Sequence, residues 1–219
     1  MLSTNELSYE QEVCNILKET KIHQRLEELK EGTKATGHEH AFNVCSDGRV
    51  TKLIKGTNDS IDTSEVNKEC NNKIDLGIHS HPQAIAYPSS NDFVEALQRQ
   101  PRIADCVYGE KDDKVTCYNI SDEFRNKYKQ SLDEAENKVD EIHNKYINTN
   151  NIREKSKLLD EEIDVMKRYI HLTTEIKNNI IKDIYPNINS YVDYANYVLN
   201  SNPKFGNFGN VWIRDCGKI

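Results

Sequence analysis

Two histidines one residue apart, in Gly77-Ile78-His79-Ser80-His81-Pro82, are the residues of this chain best placed to do chemistry. Side chains alternate faces along an extended backbone, so His79 and His81 fall on one side and their imidazoles can converge on a single ion. A zinc-type ion that does chemistry needs a third protein ligand and an open position. Asp92 is the candidate for that ligand. Pro88 favours an extended or turn conformation, and Ser89 or Ser90 can cap a helix whose first turn holds Asp92, swinging its carboxylate back toward the rings.

Ser80 stands between the histidines, but neighbours on a strand point to opposite faces, so neither ring can deprotonate it. It is read, with Pro82, as shaping the turn. His38 and His40 flank Glu39 and by the same alternation face away from it. His23, His143 and His171 lie in helical stretches without a ligand-spaced partner.

A strand-borne His-x-His, seven intervening residues and then Ser-x-x-Asp resembles the pattern of the JAMM metalloproteases, the catalytically competent MPN domains. His79-Ser80-His81-Pro82, Ser89 and Asp92 match it without a gap. The resemblance implies zinc on His79, His81 and Asp92, a glutamate on an earlier strand as general acid/base, and a serine donor for the oxyanion. Glu39, opening the run Gly37-His38-Glu39-His40-Ala41-Phe42, fits the glutamate, and Ser89 fits the donor. It also implies an α/β fold, an α/β/α three-layer domain with a mixed sheet, over residues 1–120. The activity implied is hydrolysis of a peptide or isopeptide bond after the C-terminal tail of a ubiquitin-like or sulfur-carrier-like protein, held as an extended strand at a sheet edge. The span from Glu39 to Ile120 is compact, like that of the smaller prokaryotic-type members. The alternative is a non-catalytic metal-binding MPN scaffold that gathers partners through a helical extension.

The elements that must position these residues follow from periodicity. Residues 5 to 31 read as a helix, with Val13, Ile16, Leu17, Ile22, Leu26 and Leu29 near helical spacing, stopped by Gly32 to Gly37. His40 to Cys45 and Val50 to Ile54 read as a hairpin turning at Asp47-Gly48. A short helix or irregular stretch covers 64 to 72. Ile74 to His81 is a strand, Ser90 to Gln100 a helix, and Ile103 to Tyr108 and Val115 to Ile120 two more strands.

Beyond Ser121 the composition shifts. Phe124, Tyr128, Leu132, Ala135, Val139, Ile142 and Tyr146 form a helical seam, Asn148 to Asn151 break it, and Leu159, Ile163, Met166, Ile170, Leu172, Ile176 and Ile180 form a second. Residues 121–200 are therefore expected to be an antiparallel helical hairpin, with a short helix from Ile188 to Leu199 after Pro186. Association of like or unlike chains through this extension is its expected use. Residues 201–219, punctuated by Pro203, Gly206 and Gly209, read as an irregular tail whose Phe205, Phe208 and Trp212 cover the hairpin.

Composition narrows the function classes. A net charge of −7 over 219 residues argues against an extended nucleic-acid surface. No run approaches the roughly 20 apolar residues of a membrane span, and mean hydropathy is −0.80. The acidic start, with Glu6, Glu10 and Glu12, is unlike a targeting peptide. A cytoplasmic location is the expectation. With it goes the expectation that Cys14, Cys45, Cys70, Cys106, Cys117 and Cys216, which hold no Cys-x-x-Cys spacing, stay reduced.

Overall fold

The run Ile74-Asp75-Leu76-Gly77-Ile78-His79-Ser80-His81 forms strand β3 (Ile74–His81), and its alternation sorts two faces. Leu76 and Ile78 join an apolar cluster with Val13, Leu26 and Leu29. On the same side, the buried Ser80 hydroxyl oxygen accepts from the Thr33 hydroxyl at 2.7 Å and from the His40 backbone N–H at 2.9 Å. Gly77, His79 and His81 take the opposite face. In this computed structural model residues 4–188, 190, 194, 198 and 203–219 are described, with side chains from Tyr9 onward.

Helices α1 (Thr4–Ile16) and α2 (Thr20–Thr36) lead into β1 (His40–Cys45) and the short β2 (Ile54–Lys55). After α3 (Ser64–Glu69) and β3 come α4 (Ser90–Arg99), β4 (Ala104–Gly109) and β5 (Lys114–Ile120). Two long helices, α5 (Asp122–Asn148) and α6 (Ile152–Ile184), precede β6 (Gly206–Asn207) and β7 (Val211–Gly217). The protein is thus mixed α/β. Among the described residues seven strands form one sheet in the order β2-β1-β3-β4-β5-β7-β6. β3 and β4 are parallel and the other neighbours antiparallel. One face carries residues of α1 and α2, and the other carries α4 with the sheet-proximal ends of α5 and α6.

The expected single helix over 5 to 31 is two. The chain turns at Leu17 to Glu19 through tight i to i+3 bonds, Lys18 N–H to Asn15 and Glu19 N–H to Ile16. No breaker marks the spot; the bend lets both Leu17 and Leu26 bury fully in one cluster. Helix α2 runs through Gly32 and ends where Gly37 takes a left-handed φ of 64°, which closes the helix with its N–H on the Thr33 carbonyl. The expected hairpin survives as β1, the Asp47-Gly48 turn and an isolated bridge from Val44 to Val50, with regular pairing only at Ile54–Lys55.

The segment 201–219, expected to be irregular, supplies β6 and β7. Val211 and Ile213 join the cluster on the α4 face while Trp212 joins the cluster on the other, a period of two that the preceding Pro and Gly punctuation disguised. Trp212 therefore packs into the sheet core and not onto the hairpin. Most of the expected helix from Ile188 to Leu199 lies outside the described residues.

The six cysteines, expected as free thiols, are paired: Cys14 with Cys216, Cys45 with Cys70, and Cys106 with Cys117. The last pair are directly opposed residues of β4 and β5. Spacing alone does not disclose such pairings, because the fold brings the partners together. Disulfides persist in oxidising surroundings, so these pairings disagree with the reduced thiols expected of a cytoplasmic chain. Among the described residues, no helix is long and apolar enough to cross a membrane.

Candidate metal centre

β3 delivers His79 and His81 to the α4 face at the end of the strand. The return of Asp92 follows from local capping chemistry. Ser89 has extended backbone and its hydroxyl oxygen accepts from the Asp92 N–H at 3.2 Å, while the Ser89 N–H donates to Asp92 Oδ2 at 2.6 Å. This capping box satisfies two helix-end N–H groups. It also fixes the direction of the Asp92 carboxylate.

His79 Nε2 and His81 Nε2 lie 3.1 Å apart. Asp92 Oδ1 is 3.4 Å from the first and Asp92 Oδ2 3.3 Å from the second. His79 and Asp92 are buried and His81 half-buried. Zinc bonds of about 2.0–2.1 Å in a tetrahedron put neighbouring ligand atoms roughly 3.3–3.4 Å apart. The three side chains form a group that could hold a metal ion, their candidate ligand atoms within 4.8 Å of one another, with each imidazole nitrogen closest to a different oxygen of the Asp92 carboxylate. Asp92 Oδ2 is engaged by the cap, which leaves Oδ1 the freer ligand atom.

Charge and burial compete here. Burial disfavours a carboxylate, but His79 and His81 beside it hold the Asp92 carboxyl well below the ordinary range. Burial likewise works against a charged His79, and the Asp92 carboxylate outweighs it and raises its pKa.

Comparison with protein-family models gives no match, and a search of curated proteins finds no similar sequence.

Glu39 sits at the entrance of β1, pinned by backbone bonds in which its N–H donates to the Thr57 carbonyl and its carbonyl accepts from the Gly56 N–H. Its side chain is buried. Burial raises its carboxyl pKa, opposed by the charges of His79 and His81, and the antiparallel pairing of β1 with β3, Ala41 opposite His79, brings the entrance of β1 to the end of the histidine strand. It is outside the three-residue ligand group. His40 is buried on the Gly32 side of β1, and His38 is half-buried, both apart from the group.

Sequence reasoning missed what lies beneath the site. Arg99, two helical turns after Asp92, reaches the fully buried Asp105 on β4 at 2.7 Å. The Asp105 carboxylate outweighs the burial that disfavours the Arg99 charge and keeps it protonated. Asp105 is the strand partner of Gly77, and a Cβ on Gly77 would stand 2.1 Å from Asp105 Oδ1. The missing side chain makes room for the ion pair. The available signal was Asp105 itself, a lone acid inside the apolar run Ile103 to Tyr108.

Proposed function

We propose that the chain is a zinc-dependent hydrolase of the JAMM type, cutting a peptide or isopeptide bond after the tail of a ubiquitin-like or sulfur-carrier-like protein. The observation that supports this reading is the meeting of His79, His81 and Asp92 within ligand reach of one another, with the buried Glu39 at the entrance of β1, the strand that pairs with β3. His79, His81 and Asp92 would hold the ion. When bound, zinc supplies Lewis acidity and lowers the pKa of water to about 7, so that a nucleophile is available at neutral pH. Glu39 moves the proton. Burial makes its carboxylate more basic than an exposed one, suited to accept a proton from water and return it to the leaving amine. Ser89 accepts from the Asp92 N–H through its oxygen and keeps its hydroxyl hydrogen for the oxyanion of the tetrahedral intermediate, a contact worth about 3 kcal/mol in comparable sites.

The scissile segment is proposed to lie extended across the α4 face. Beside that face a cleft of about 570 Å³ is lined by Asp62, Asn67, Ile74, Glu95 and Gln98; none of His79, His81 and Asp92 lines it, and Glu95 is one turn beyond Asp92. The test combines metal analysis of the purified protein with cleavage of modifier-tail fusions, with and without a chelator. One zinc per chain and chelator-sensitive cleavage are expected. A protein that binds no divalent metal, or cleavage indifferent to the chelator, refutes the reading.

A further inference from the structure

Helix α6 carries two apolar faces where one was expected. Leu158, Ile176, Ile180 and Ile184 are buried, and Tyr169 and Leu172 are partly buried against the core shared with α4 and α5. The expected inward positions Leu159, Ile163, Met166 and Ile170 instead point outward. With Ile152 they are between 40% and 84% exposed. Their numbers step 152, 159, 163, 166, 170, the a/d pattern of a coiled-coil seam, with Ser156 at the one polar core position. A strict 3.5-residue period is what a supercoiled partner helix requires, and a globular face has no need of it.

We propose that this seam pairs with the same seam of a second copy of the chain, in a parallel two-stranded coiled coil about a two-fold axis. The flanking charges specify the occupant. With Ile163 and Ile170 at a and Leu159 and Met166 at d, Lys155 and Glu162 are at g, and Asp160 and Lys167 at e. In a parallel pair g of one helix meets the following e of the other. Lys155 then faces the second copy's Asp160, and Glu162 faces its Lys167, each twice by symmetry. Both contacts are opposite in sign. Lys155 already lies over the Tyr146 ring of α5, and Glu162 is 3.7 Å from His143, so both g side chains are held on the α5 flank of the seam. The antiparallel register that matches Leu159 with Ile170 sets Ile152, the most exposed residue of the seam, opposite Lys177. The parallel one covers it with its own copy. The pairing is independent of the metal centre and of the reaction proposed for it.

Sedimentation of the full chain over a concentration series tests this. The wild-type protein is expected at twice 25.3 kDa. Ile163→Lys with Ile170→Lys is expected to raise the dimer dissociation constant by about thirtyfold or more, while circular dichroism stays unchanged because both side chains are outside the core and the thermal midpoint loses only its dependence on protein concentration. Glu162→Lys is expected to weaken the dimer and Glu162→Lys with Lys167→Glu to restore it. Ile163→Cys is expected to cross-link to itself on mild oxidation. A wild-type chain that stays monomeric, a dimer indifferent to the seam substitutions, or a dimer in which residue 163 fails to cross-link would each overturn the proposal.

Discussion

At the scale of single residues, Glu39 carries the sharpest consequence. Its carboxyl is raised above an ordinary 4.5 by burial, so the fold favours the neutral form. The stability this gives is complete below the unfolded value and is lost as pH rises through the folded one. Glu39→Gln, which never ionises, should therefore leave the metal-free protein equally stable near pH 4 and progressively more stable than wild type toward neutrality. The same substitution is expected to lower turnover by about 10²–10⁴-fold, the range for removal of a general acid/base. Thermal melts across pH separate the two effects. A stability gap that stays flat with pH would mean that the carboxyl is not buried in its charged form.

At the scale of elements, the start of α4 holds the structure of the site and its proposed chemistry in one residue, and two substitutions at Ser89 divide them. Alanine removes both cap and hydroxyl, at a cost of about 1 kcal/mol to stability, whereas glycine costs only a few tenths. Both lack the proposed oxyanion donor and are expected to lose about 10²–10³-fold in turnover. Full activity in Ser89→Gly would assign the serine to capping alone. On β3, Gly77→Ala forces a methyl group against Asp105, which Arg99 holds in place; a loss of about 1–3 kcal/mol in chemical denaturation is expected. These elements also mark what was legible in the sequence. His79, His81, Ser89 and Asp92 lie within fourteen residues, so strand alternation and capping rules suffice to bring them together. Arg99 and Asp105 meet only because β4 lies beside β3, and no local pattern carries that adjacency. β1, β3, β4 and β5 were legible by period, the second strand of the expected hairpin only at Ile54, and the bend after Ile16 was not, since tertiary packing made it.

At the scale of the whole molecule, long-range partners were the least legible. Cys14 and Cys216 are 202 residues apart and join α1 to β7 across the face opposite the histidines. Cys14→Ser with Cys216→Ser is expected to lower stability by about 2–4 kcal/mol while leaving metal content and turnover at wild-type levels, checked by denaturant titration beside metal analysis. A loss of metal in that variant would show the two faces to be coupled. Similarly, β7 could not be recognised as part of the sheet from a chain that leaves at Ile120 and returns at Val211, though those two residues are register partners. That pairing has a further meaning. Since the strands on either side of the long excursion are zipped to one another, α5 and α6 amount, in threading terms, to an overgrown hairpin loop. Whole turns can be spliced into or out of their far ends without rewiring anything, each residue altering reach by about 1.5 Å. The arm is a ruler of adjustable length, and whatever grips its outer half can be set nearer to or farther from the histidine pair while the pair itself stays as it is.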